Sequence, residues 1–269
     1  MDSWIEVALA ALGTGLVAGT ISGLLGVGGG IVIVPVLEAM LGFLGVDPSV
    51  RMPIAVATSL ATIVPTSIAS ARAHHRRGAV DLDVAKMWLP AVAAGALAGS
   101  LLASRAPAHV LTGLFGVVAA MAAIKMILPL DGKVLAPSVP RGPLGRTLPA
   151  GIGLVSSMMG IGGGTLSVPV LTLCSQPVHR AVGTSNLLGL AIAIPGTVGY
   201  LLARPVVPVP SGTVGLVNLT GFALIAVGTV IAAPWGARLA HSLDRRRLSA
   251  AFGVFLTIVA ARMLCRTFG

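Results

Sequence analysis

The sequence predicts an all-α polytopic membrane protein made of two inverted-topology repeats, each a glycine-rich broken-helix hairpin followed by three transmembrane helices. Three observations predict it. Of the 269 residues 55% are hydrophobic and only 10% charged, with a mean hydropathy of +0.98, far more apolar than a soluble domain of this size needs for its core. The stretch Gly26-Val27-Gly28-Gly29-Gly30-Ile31-Val32-Ile33-Val34-Pro35-Val36-Leu37 returns as Gly160-Ile161-Gly162-Gly163-Gly164-Thr165-Leu166-Ser167-Val168-Pro169-Val170-Leu171, at an offset of 134. Each unit then makes an odd number of crossings whether its hairpin spans or turns back, so the second unit sits upside down relative to the first.

The apolar runs are helix-length and rich in Gly, Ala and Leu, and they lack the alternation of a membrane β-barrel. A net charge of +10 would suggest nucleic acid in a soluble chain. Here basic residues gather in cytoplasmic loops and orient the helices, so no nucleic acid partner is expected. One face receives Arg72, Arg76, Arg77, Lys133, Arg141, Arg146, Arg180, Arg245, Arg246 and Arg247; the other has Arg51, Arg105, Arg204, Arg262 and Arg266. The first face is then the cytoplasm, and both termini lie on the outer side of the cell inner (plasma) membrane. Met1-Asp2-Ser3-Trp4 carries no base ahead of the first apolar run, so that run is expected to be a retained helix, not a cleaved signal. Cys174 and Cys265 form no CxxC and read as small apolar fillers.

In order along the chain, the first helix is expected over about residues 5–22, ending at the glycine turn. The next apolar run, 31–44, contains Pro35 and covers about 21 Å, short of a hydrocarbon core of roughly 30 Å. In the second copy both arms, 148–159 and 165–174, are short, so that hairpin enters the membrane and turns back. The first hairpin does likewise or crosses with its longer arm. Fuller segments follow at 53–71, 84–103 and 110–130, and again at 182–202, 214–240 and 248–264. Residues 131–146, rich in Pro, Gly and basic side chains, form a cytoplasmic connector between a first repeat, 1–130, and a second, 147–269. The duplication continues beyond the hairpins: Gly95 and Gly99 align with Ala232 and Gly236 at an offset of 137, and Lys125-Met126 with Arg262-Met263.

Backbone that leaves the helical pattern at membrane depth persists only where protein buries it or a wet cavity adjoins it. Broken helices aim N–H groups and a positive dipole end at such a place, which suits an anion. Gly28, Gly29, Gly30, Gly162, Gly163 and Gly164 are therefore candidate substrate-binding backbone, with close helix packing as the competing explanation. G-V-G-G-G is no nucleotide fingerprint, because GxxxxGK[ST] is absent and the composition excludes a soluble βαβ unit. Thr58, Ser59, Thr184, Ser185 and Asn186 are uncharged donors inside apolar segments. They could bond anionic oxygens, or serve as helix glue worth about 1 kcal/mol. Glu38 is a candidate coupling acid, although eight residues past Gly30, about 12 Å along a helix, bring it near an interface. Arg51 and Arg180 each precede a Thr-Ser pair and are candidates for attracting an anion, against a reading as snorkelling loop residues. No catalytic set, metal-ligand spacing or cofactor motif is visible.

G-L-L-G-V-G-G-G-I-V-I-V-P-V-L and S-M-M-G-I-G-G-G-T-L-S-V-P-V-L, the Thr-Ser pair opening the next helix of each half, and Gly-Ala-Arg-Leu-Ala-His before the final basic loop together resemble the sulfite exporter TauE/SafE family. The resemblance covers essentially the whole chain. It implies a bacterial-type inner-membrane permease for small anions, often sulfur-containing ones such as sulfite or organosulfonates. Residues 26–30 with Thr58-Ser59, and 160–164 with Thr184-Ser185-Asn186, fall at the family's motif positions. Asn186 has Leu60 as its counterpart, so the halves are not equivalent. The expected function is secondary transport of a small anion, sulfite or an organosulfur acid, by alternating access, without ATP, cofactor or enzymatic chemistry. An anion channel-like pore stays open as an alternative, as does a membrane assembly factor or enzyme that holds its ligand in the same cleft. The expected partners are the small anionic substrate and the lipid bilayer, and a homodimer stays open.

Overall fold

A computed structural model describes residues 2–25, 29–76, 78–127, 136, 138–239 and 245–268; Gly26, Val27, Gly28, Arg77 and Lys133, named above, lie outside them. The described residues form ten helices and one small β-hairpin. The first half holds α1 (Asp2–Leu25), α2 (Gly30–Phe43), α3 (Pro48–Arg76), α4 (Leu82–Ala103) and α5 (Ala108–Ile127). The second holds α6 (Leu144–Met159), α7 (Gly163–Leu173), α8 (Val178–Leu201), the strands β1 (Thr213–Val214) and β2 (Val217–Asn218), α9 (Leu219–Leu239) and α10 (Arg245–Phe268).

Local chemistry accounts for the boundaries. Asp47 caps α3, its carboxylate accepting the Ser49 N–H at 2.8 Å and the Ser49 hydroxyl at 2.5 Å, while Pro48 opens the first turn, where no N–H is needed. Those bonds hold the Asp47 carboxyl below the usual carboxylate range. Asp81 caps α4 through the N–H groups of Asp83 and Val84. The expected helix over 214–240 is corrected at its start. Gly212 and Gly215 have φ of 77° and 59°, which closes the β1–β2 hairpin and delays α9 to Leu219, with the Asn218 side chain accepting the Gly221 N–H at 2.7 Å.

Among the described residues, α3, α4, α5 and α8 are long and apolar enough to cross a membrane. Helices α2 and α7, of 14 and 11 residues, extend only about 21 and 16 Å. Exposed aliphatic side chains on α5 (Val117, Met121, Ile124) and α10 (Val254, Ile258) face outward, while Ile33, Ile54, Leu60, Leu188 and Ile192 fill the interior. An aliphatic exterior is what a bilayer demands, and the chain is a multi-pass membrane protein.

In lipid the helices gain little from burying apolar surface, so close backbone approach at small residues holds them together. Helix α1 packs along α9 and α4 along α6. A Cβ on Gly19 would stand 2.7 Å from Thr229 Cα, and one on Gly153 would collide with the Val92 carbonyl; a Cβ on Gly236 would press on Thr20, and one on Gly99 on Leu154. These contacts match at the offsets of 134 and 137 found in the sequence. Both pairs run parallel. By contrast, α3 crosses α8 antiparallel, with Ser67 against Gly189 and Leu60 against Gly196. Helix α5 meets α10 in the same sense, with Gly113 against Thr267 and Gly116 against Leu264.

Candidate functional site

The start of α2 and the end of α6 meet inside the bundle. Gly29 stands before α2 with φ 70° and ψ −25°, a left-handed conformation that suits glycine, and its carbonyl accepts the N–H groups of Val32 and Ile33. Gly160 ends α6 with φ 70°, and the Ile161 N–H closes back on the Ser156 carbonyl at 3.1 Å. A Cβ on Gly30 would run into the Gly160 carbonyl and stand 3.0 Å from Ile161 Cα. The Ser59 hydroxyl of α3 donates to that same Gly160 carbonyl at 2.7 Å. Gly163 packs on α8, where a Cβ would stand 2.5 Å from the Ser185 carbonyl oxygen and 2.8 Å from the Gly189 nitrogen. Neither Gly29 nor Gly162 supplies a side-chain cap to the helix it precedes, so the positive N-terminal ends of α2 and α7 carry no cap from these residues.

The Thr-Ser pairs are placed by longer connections. Thr58 accepts the backbone N–H of Asn218 at 3.0 Å, and Thr184 accepts that of Asp81 at 2.9 Å. Asn218 and Asp81 are the capping residues of α9 and α4, so each threonine pins the start of a helix belonging to the other half. Ser185 and Asn186 turn inward on their own helix, both donating to the Val182 carbonyl, at 2.9 and 2.8 Å. On the second hairpin the Ser156 and Ser167 hydroxyls are buried without a hydrogen-bond partner, which leaves donors on either side of that break.

The charged candidates stand away from the junction. Glu38 is buried in α2 and pairs with Arg266 of α10. Arg51 donates from Nε to the Val46 carbonyl after the end of α2, and Arg180 is exposed in the first turn of α8. Two cavities open on the surface. One of about 300 Å³ is lined by Ser104, Arg105, Gly199 and Arg204, and one of about 200 Å³ lies between α2 and α10. Sequence reasoning missed Asp81 and Asn218, although each stands as an N-cap type immediately before an apolar run, a readable helix-start signal.

Interrupted helices whose tips meet inside a bundle with an aliphatic exterior are the construction of a membrane transporter. The chain belongs to the sulfite exporter TauE/SafE family, whose model matches residues 11–263. A Haemophilus influenzae protein described as a probable membrane transporter protein is 31% identical over 266 residues, covering 96% of this chain and 98% of the relative. A similarly described protein of Xylella fastidiosa is 29% identical, covering 98% and 97%. The probable membrane transporter protein YunE of Bacillus subtilis is 23% identical, covering 94% of each. No solved structure matches this chain. It is therefore a membrane transporter, working in a lipid bilayer on a small substrate.

Proposed function

We propose that this transporter carries a small anion, sulfite or an organosulfur acid, by alternating access between two inverted repeats, residues 1–130 and 147–269, joined by a cytoplasmic connector. The observation that carries this reading is the orientation of matched helices. In an inverted pair each helix must run opposite to its counterpart, and the antiparallel crossings of α3 with α8 and α5 with α10 support that arrangement. The basic loops support an inner-membrane orientation with both termini outside the cytoplasm.

In this reading the substrate binds where the two breaks meet. The N–H groups of Gly29, Gly30 and residues 162–164 supply positive dipole ends, and Thr58, Ser59, Thr184, Ser185 and Asn186 supply neutral donors or position them. Uncharged donors hold an anion without leaving a permanent charge in the bilayer when the site is empty. The contact between Gly30 and Gly160 is the closed junction that parts on one side and then the other. Arg180 draws anions toward it and Arg51 adds to the outer-face potential, while Glu38 serves as the coupling acid.

The test is a proteoliposome flux panel of sulfite, sulfate, thiosulfate, taurine and sulfoacetate, with and without a pH gradient. Saturable uptake of a sulfur oxyanion that a gradient drives uphill is expected. Flux that neither saturates nor accumulates would make the protein a channel, and no flux of any member would remove the anion assignment.

A further inference from the structure

Glu38 is only half satisfied. It is 5% exposed in the apolar helix α2, and its Oε1 accepts from Arg266 Nη1 at 2.5 Å, while its Oε2 is buried with no hydrogen-bond partner. A buried carboxylate with one oxygen unbonded is expensive, and an ion pair kept purely for structure would be expected to satisfy both oxygens. Arg262 lies one helical turn from Arg266, so both guanidinium groups reach the same side of α10. They line a cavity of about 200 Å³ together with Glu38, Ala39, Gly42 and Phe43. At roughly 30 Å³ per water in the liquid, that is space for several waters or one small oxyanion.

The charges of the described side chains around it do not balance. From α3, Arg51 reaches the far side of the same turn, its Nη1 3.3 Å from where a Gly42 Cβ would be. The exposed Asp47 carboxylate in the α2–α3 turn offsets Arg51, and the described side chains of α1 from 9 to 21 carry no charge. Among the described side chains, two arginines of α10 therefore face one carboxylate. The other half does not repeat the arrangement. The counterparts of Glu38, Arg262 and Arg266 are Thr172, Lys125 and Pro129, and the Thr172 hydroxyl donates to its own helix at the Pro169 carbonyl. The fold does not require this cluster, since one half does without it.

We infer that the groove between α2 and α10 is a second anion site, in which Arg262 and Arg266 hold a small oxyanion and Glu38 is the carboxylate that occupies Arg266 when the site is empty. The choice of ligand rests on the anion-transport reading. A bidentate guanidinium matches two oxygens of a tetrahedral or pyramidal oxyanion as it matches a carboxylate, so ligand and Glu38 compete for one partner. Lying at the outer end of α2 in the orientation given above, the site holds the anion beside the hairpin that must move.

The test uses the full-length protein in lipid nanodiscs with radiolabelled sulfate, whose charge does not change near neutral pH. Glu38→Gln removes the competing charge and is expected to bind sulfate about tenfold more tightly than the parent, the scale of one charge-assisted hydrogen bond. Arg262→Gln and the double change Glu38→Gln with Arg266→Gln are expected to bind at least tenfold more weakly than Glu38→Gln. The double change removes both partners and so strands no charge in the apolar site. Equal affinity in Glu38→Gln and the parent overturns the site, as does sulfate binding to neither. Sulfite flux is read separately in proteoliposomes. Binding that shifts as stated in a protein that moves no sulfite keeps the site and removes the transport reading. Sulfite flux in a protein whose sulfate binding ignores these changes does the reverse.

Discussion

The Thr58 hydroxyl in α3 accepts the backbone N–H of Asn218 at the head of α9, 160 residues away, and Thr184 in α8 does the same for Asp81 at the head of α4. Both hydroxyls are buried. Replacing either threonine by valine keeps the shape and removes the partner of a half-buried N–H, which costs about 1 kcal/mol. Thr58→Val and Thr184→Val should each lower the thermal unfolding temperature in detergent, and Thr→Ser should restore most of it. Unchanged unfolding in both valine variants would mean that the clamps contribute nothing.

Substitutions at the breaks should separate by mechanism. Gly29→Ala forces a side chain into a left-handed conformation at roughly 1–2 kcal/mol. Gly160→Ala adds a Cβ 2.8 Å from the Val56 backbone and should be worse. Gly163→Val pushes α7 off α8 at the Ser185 carbonyl and should abolish flux even in protein that inserts. Comparison of membrane-inserted yield with flux checks the order, and full flux in Gly163→Val would contradict the tight α7–α8 contact.

Asn186→Leu copies Leu60, the residue at the matching position of the other half. Its amide donates to the Val182 carbonyl, which uses one of the two N–H donors of that group. If it donates to the transported anion, affinity falls roughly tenfold to a hundredfold with little change in unfolding temperature. Wild-type affinity for the transported anion would leave Asn186 as a local helix bond and shift the site to Ser59, Ser156 and Ser167.

For orientation, single cysteines placed between residues 72 and 78 should resist membrane-impermeant reagents in intact cells, whereas one at position 2 should react. Labelling of the loop from outside would invert the topology.

The glycine breaks and the extents of most helices were legible because they are local: four glycines and a following proline announce each break whatever surrounds it. The start of α9 was not, since residues 213–218 sit within one apolar stretch with the helix they precede, and the local signals there, Gly212, Gly215 and the N-cap type Asn218, are single residues. At the candidate site, the threonines stood out as polar groups in apolar runs. Their partners did not, because Thr58 with Asn218 and Thr184 with Asp81 are pairings across the fold that no periodicity encodes. The bond from Arg266 to Glu38 spans 228 residues and was invisible for the same reason.

The packing of α1 along α9 and of α4 along α6 means that each half lends its first helix to the other. A half-chain made alone would leave the glycine faces of α1 and α4 without the backbone they fit. The connector therefore joins two interlocked pieces, not two self-sufficient ones, and cutting it should leave them held together without a covalent link. Under the inverted arrangement proposed above, an ancestral protein of one repeat would have satisfied the same helices only by embracing a second copy of itself inserted the other way up.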